Sequence, residues 1–368
     1  MTAPGLPPGP PPRPDGRVGV ERIGEYAVRI DVRSPSEFAE DHLPGAVNLP
    51  VLDDKERADV GTMYTQVSAF EARKLGAAIV ARNIARIVET FARDQPREWE
   101  PLVYCWRGGQ RSRALTHVLA EIGWRAHQLD GGYRAYRRHV VATLAALPQR
   151  FDYRVICGLT GAGKSRLLAA LADEGAQTLD LEGIARHRGS LLGDLPGEPQ
   201  PSQKAFESGL VAALSSLDAK RPVFVESESR KIGDVQLPDA LLAAMRTSRC
   251  VVLDTPTPLR VVMLKSAYAH FLGAPDLLAA RLAHLAPVYG KTTLDAWRTA
   301  AQLGQFDRLV TELLERHYDP MYAQSIERNF PRAPEATTVR ATGTSDTAFR
   351  ALAHEVLRRA HPEIPTTA

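Results

Sequence analysis

The run "GLTGAGKS", residues 158–165, limits what this chain can fold into more than any other stretch. It satisfies G-x-x-x-x-G-K-[ST] at every position, follows the β-rich "YRVIC" and precedes the helical "RLLAALADE". A strand, a glycine loop and a helix in that order put the loop at the carboxyl edge of a parallel sheet. Free backbone amides at the helix start then face anionic oxygen. Gly158, Gly161 and Gly163 let the backbone curl around a diphosphate, with Thr160 and Ala162 completing the loop. Lys164 reaches the outer phosphate, and Ser165 is placed for Mg2+ or a phosphate oxygen. Such a loop reads phosphates and not the group they carry. ATP and GTP are the usual ligands, yet the motif requires no nucleobase.

A second loop lies upstream. In "LVYCWRGGQRSRAL", residues 102–115, Cys105 ends an apolar run, and Trp106, Arg107, Gly108, Gly109, Gln110 and Arg111 follow it. Ser112 is a candidate start for the next helix. Paired glycines let successive amides converge into an anion nest, and Arg107 and Arg111 add positive charge. Surroundings of this kind favour a thiolate, so Cys105 reads as a nucleophile.

Alternating β-rich and helical runs organise the rest into two α/β domains with parallel sheets. We expect a disordered Pro-rich tail over 1–16, a first domain over 17–143 and a linker over 144–152. The phosphate-loop domain then occupies 153–368, with a helical insertion at about 258–330. Cys105, Cys157 and Cys250 are too few and too scattered for a disulfide framework or a zinc site, which fits a reducing cytoplasm. No segment approaches the roughly 20 apolar residues of a membrane span. A net charge of +3 permits an acidic partner without demanding one.

Two further stretches, "DVRSPSEFAEDHLPGAVNLP" at 31–50 and "LDGGYRAY" at 129–136, flank the cysteine loop. Together the three resemble the rhodanese family, whose cysteine carries a sulfur or selenium atom. Asp31, Arg33 and His42 read as scaffold. The spacing Cys105-x5-Arg111 departs from the C-x4-R of many rhodaneses and matches phosphatase relatives of the fold, which suits a tetrahedral phosphorus centre. The loop alone therefore leaves chalcogen transfer and phosphate-ester hydrolysis both open.

In the second half, Glu182, His187, Arg188 and Ser190 in "LEGIARHRGS", and Glu226 and Arg230 in "ESESRKIG", follow strands and should gather near the phosphate loop. Glu226 and Asp254 are the candidate metal-binding carboxylates, and neither setting justifies naming a metal site. The order "CWRGGQRS", "GLTGAGKS", "LEGIARHRGS", "ESESRKIG" resembles the tRNA 2-selenouridine synthases, a rhodanese-like domain joined to a P-loop domain. That resemblance implies replacement of sulfur by selenium in wobble 2-thiouridine of tRNA, through S-geranylation by geranyl diphosphate and then selenium delivery from selenophosphate. It implies that Cys105 takes the selenium as an S-selanyl adduct, with no tightly bound cofactor and the Mg2+ requirement open. Arg134, Arg137 and Arg138, with His139 and two tyrosines, are the first candidates for tRNA contact. Arg260, Lys265, Tyr268 and Lys291 are the second. The competing reading is a rhodanese-like phosphatase or sulfurtransferase fused to an ATP-binding, kinase-like domain.

Overall fold

The computed structural model describes residues 16–190 and 192–360, so the expected tail lies outside the described residues except for Gly16. Short runs, four of the five carrying a β-branched residue, become strands β1 (Arg17–Val18), β2 (Val28–Asp31), β3 (Ala46–Asn48), β4 (Pro101–Tyr104) and β5 (His127–Leu129). They form a sheet in the order β1-β5-β4-β2-β3, every neighbouring pair parallel. Every residue of the central β4 is buried, as a strand covered by helices on both faces must be. Ile30, Val103, Leu115 and Leu119 meet in the core beside it.

The second sheet is built from β6 (Tyr153–Cys157), β7 (Gln177–Leu179), β8 (Val223–Glu226), β11 (Arg249–Asp254) and β12 (Thr337–Arg340). A small antiparallel hairpin, β9 (Lys231–Ile232) and β10 (Val235–Gln236), stands apart from it. The sheet order β12-β11-β6-β8-β7 is parallel throughout and puts β6 at the centre. From β6 the chain crosses to one side for β7 and β8, then to the other for β11 and β12. The loop after β6 therefore opens into the crevice where the strand order reverses. Between β11 and β12, helices from Thr257–Ala267 to Asp319–Asn329 enclose their own apolar core around Trp297, Leu282, Leu309 and Leu313.

The chain divides into two compact units, one running to Leu144 and including Ser202–Ala212, the other comprising Ala145–Pro201 and the remainder from Ala213. Two sequence expectations change here. Most of the helix Gln203–Ser215 belongs with the first unit, because Ser208 donates to Asp41 (3.2 Å) and Lys204 pairs with Glu40 (2.5 Å). The supposed linker is structured as well. The helix Gly132–Ala146 runs into it and a tight turn, Leu147–Arg150, buries Pro148.

Candidate active sites

Cys105 leaves the end of β4 with its side chain buried at 3% exposure. Its Sγ accepts hydrogen bonds from the Gly109 amide (3.3 Å) and the Ser112 hydroxyl (3.2 Å). The following helix is Gln110–Ile122, capped by Gly109, so it starts before Ser112, whose hydroxyl instead faces the sulfur. Gln128 donates to that hydroxyl (2.7 Å) and fixes its direction. Gly108 takes a left-handed φ of +62°, whereas Gly109, at φ −97°, does not use that freedom. Gly132, at φ +56°, closes the loop from below: a Cβ there would lie 2.2 Å from the Cys105 carbonyl oxygen.

Around the loop, Arg107 and Gln110 are exposed and the Trp106 ring packs 5.3 Å from Tyr133. Arg111 is held by Glu37 at 2.8 Å. Burial works to raise the Glu37 carboxyl, but the hydrogen bonds and charge of Arg111 outweigh it and hold the group below the usual carboxylate range. Asp31 and Arg33 form a buried ion pair at 2.6 Å, and Arg33 also donates to the Asp41 carbonyl (2.7 Å). His42 stacks on Phe38 with its Nδ1 on the Phe38 carbonyl oxygen (2.9 Å). These three residues are scaffold, as the sequence suggested.

In the second unit, Gly161 and Gly163 both adopt positive φ, and the helix Lys164–Asp173 begins directly after them. Lys164 Nζ donates to the Gly158 carbonyl (3.1 Å) and lies 5.4 Å from the Tyr322 ring centre. Ser165 donates to Glu182 Oε2 (2.9 Å). A pocket over the loop is lined by Gly161, Gly163, Lys164, Ser165, Glu182 and Arg188, with Ser190 and Tyr268 at its wall. Thr160, Ser190, Leu264 and Tyr268 also line a neighbouring, largely apolar cavity, completed by Leu192, Phe271, Phe306, Val310 and Leu313.

Glu226, at the end of β8, and Glu228, two residues on, come within 4.8 Å of Glu182 through one oxygen each. Sequence reading missed Glu228. Its signal was the repeated acid in "ESES", where a turn after the strand end returns the second carboxylate to the first: the Glu228 amide donates to the Glu226 carbonyl (2.9 Å). Burial, together with Glu182, raises the Glu226 carboxyl well above its ordinary range and pushes the Glu228 carboxyl up to about 8.

Other candidates are not gathered at this pocket. His187 is buried, accepts from the Gly189 amide (3.1 Å) and faces Asp194 (3.4 Å), so it ties its own loop together. Arg230 is exposed and pairs with Asp239 at 2.7 Å. Asp254 pairs with Arg340 at 3.4 Å, so only Glu226 of the two candidate metal-binding carboxylates joins the cluster. Arg260 is 2% exposed, bridging Asp319 (2.9 Å) and the Thr160 carbonyl (2.9 Å), which makes it a support for the loop and not an RNA contact. Lys265 pairs with Asp307 at 2.5 Å, and Lys291 is exposed.

In the first candidate tRNA segment, Tyr133 and Tyr136 are buried and Arg137 pairs with Glu207, leaving Arg134 and Arg138 exposed. The structure also shows a groove beside the cysteine loop, unmarked in the sequence, that gathers Tyr64, Arg73, Arg111, Arg113 and His117.

Comparison with known families agrees with both loops. Residues 20–139 match the rhodanese-like domain, and residues 151–280 match the tRNA 2-selenouridine synthase AAA domain. A tRNA 2-selenouridine synthase from Bdellovibrio bacteriovorus is 33% identical over 81% of this chain and 89% of that protein. The Cupriavidus necator enzyme of the same name is 36% identical over 82% and 89%. One from Nitrosomonas europaea is 40% identical over 63% of this chain and 61% of that protein. With both glycine loops inside the matched stretches and these relatives aligned over nearly their whole length, this chain belongs to the tRNA 2-selenouridine synthase family.

Proposed function

We propose that the protein replaces the sulfur of wobble 2-thiouridine in two steps at two sites. In the first, the thiocarbonyl sulfur attacks the carbon of geranyl diphosphate that bears oxygen. The C–S bond forms, the C–O bond breaks and diphosphate leaves. Lys164, Ser165 and the loop amides stabilise the charge that develops on the leaving oxygens. The observation that carries this step is the apolar cavity sharing Thr160, Ser190, Leu264 and Tyr268 with the pocket over the phosphate loop. A nucleotide would offer that cavity a polar base, whereas a prenyl chain matches its lining.

In the second step, selenium adds to C2 of the nucleobase and geranylthiolate leaves. Electron balance bears on the part played by Cys105. Selenium in selenophosphate is already fully reduced, so a thiolate attacking it would have to leave phosphorus reduced, and nothing reoxidises it. Attack on phosphorus balances: an S–P bond forms, the P–Se bond breaks and hydrogen selenide is released as the nucleophile for C2. Water then frees phosphate from the cysteine. The x5 spacing, the Gly109 amide and the Ser112 hydroxyl on Sγ all suit such a phosphocysteine, in place of the S-selanyl adduct implied by the resemblance.

The exposed Arg134 and Arg138 and the groove bearing Tyr64, Arg73 and Arg113 supply charge and an aromatic ring for an unstacked anticodon loop. Among the described residues no helix is long and apolar enough to cross a membrane, and we place the reaction in the cytoplasm with its tRNA.

Mass spectrometry of nucleosides tests the first step. With geranyl diphosphate alone, 2-thiouridine tRNA should gain one geranyl group, and Lys164→Ala should slow the gain by about a hundredfold. A wild-type enzyme that leaves the thiouridine unaltered while binding ATP tightly would overturn the reading.

A further inference from the structure

We infer that Glu182, Glu226 and Glu228, with the Ser165 hydroxyl, form a divalent-cation site of the Mg2+ and Mn2+ class beside the phosphate loop. Three carboxylates each place an oxygen within 4.8 Å of the others, closer than three negative charges settle without a counterion. Glu226 gives the independent sign of a ligand. It is 0% exposed, and among the described residues neither carboxylate oxygen has a hydrogen-bond partner. A buried carboxylate left in that state carries its full desolvation cost unless a proton or a cation meets it.

Lys164 and Arg188 are the cations that favour the charged form of this cluster, and Lys164 also serves the phosphates. All the donors are hard oxygens, which select Mg2+ or Mn2+ over zinc or copper.

The position also answers an electrostatic problem. On the reading that the loop holds a diphosphate, a multiply charged anion would arrive beside Glu182, whose oxygen already accepts from Ser165 at 2.9 Å. A cation between them would turn repulsion into attraction, with the Ser165 hydroxyl oxygen turned from Glu182 to the metal. Gly189, at φ +65°, keeps this space open: a Cβ there would lie 2.9 Å from a Glu228 oxygen and 3.3 Å from one of Glu182.

Mn2+ titration of the full chain, followed by the paramagnetic resonance of the free ion, tests the site directly. Wild type should bind one Mn2+ that Mg2+ displaces, and inorganic pyrophosphate should tighten it about tenfold. Glu226→Gln should weaken Mn2+ at least about tenfold. Glu182→Gln, altering a partly exposed position, should do the same with the melting temperature of the metal-free protein retained. Lys164→Ala should keep Mn2+ affinity and lose the pyrophosphate effect. Equal Mn2+ binding by wild type and both glutamine variants would overturn the site. Mn2+ binding that follows the glutamates but ignores pyrophosphate would uphold the cation site and count against a diphosphate in the loop.

Discussion

At the scale of single residues, the cysteine loop owes its shape to groups that carry no reactivity. Gly132 lies under the loop in a left-handed conformation, with the Cys105 carbonyl oxygen 2.2 Å and the Gly108 amide nitrogen 2.4 Å from where a Cβ would sit. Gly132→Ala should cost roughly 2–4 kcal/mol in chemical denaturation, since both the backbone strain and the clash fall on main-chain atoms. Ser112→Ala removes one of two hydrogen bonds to Sγ. It should slow alkylation of Cys105 by iodoacetamide several-fold while leaving the melting temperature within about 2 °C of wild type. Unchanged alkylation would mean that the hydroxyl has no hold on the reactivity of the thiol. The loop between Cys105 and Arg111 was legible from the sequence as the turn from a strand into a helix, because paired glycines directly after an apolar run mark such a turn. Glu37, which occupies Arg111, was not, since it comes from a distant capping box whose partner only folding reveals.

At the scale of elements, the helices between β11 and β12 convert a general phosphate loop into one with a hydrophobic annex. Val310 lines that annex and is only partly buried, so it can be enlarged without breaking the core around Trp297. Val310→Trp should raise KM for geranyl diphosphate about tenfold and leave dimethylallyl diphosphate nearly unaffected. Equal effects on both would show that the chain lies elsewhere. Arg260 belongs to the same element. Arg260→Ala strips a buried partner from Asp319 and from the Thr160 carbonyl, and should lower stability by roughly 3 kcal/mol in denaturant titrations. A variant of full stability but weak tRNA binding would restore Arg260 as an RNA contact. Periodicity announced these helices, and their sequence suggested basic faces. It did not show that Arg260 turns inward, because the acid that neutralises it lies 59 residues away.

At the scale of the whole molecule, two parallel sheets each offer one glycine loop at the end of a central strand, β4 in one unit and β6 in the other. Both fold classes could be read from the sequence, because short β-rich runs alternating with helices admit few other arrangements. The boundary between the units was less legible. Residues Ser202–Ala212 follow β7 in sequence yet cluster with the first unit, through contacts such as Ser208 with Asp41 that no local pattern encodes. The carboxylate cluster depends on tertiary structure in the same way, for "LEGI" and "ESES" are adjacent only once β7 and β8 pair.

On the two-site reading, the two loops perform separable steps in a fixed order. The most direct measurement supplies already S-geranylated tRNA and selenophosphate to Lys164→Ala and Cys105→Ala proteins and follows the nucleoside by mass spectrometry. Lys164→Ala should form 2-selenouridine at close to the wild-type rate, and Cys105→Ala should lose about a hundredfold or more. Selenation that fails in Lys164→Ala and persists in Cys105→Ala would contradict that reading.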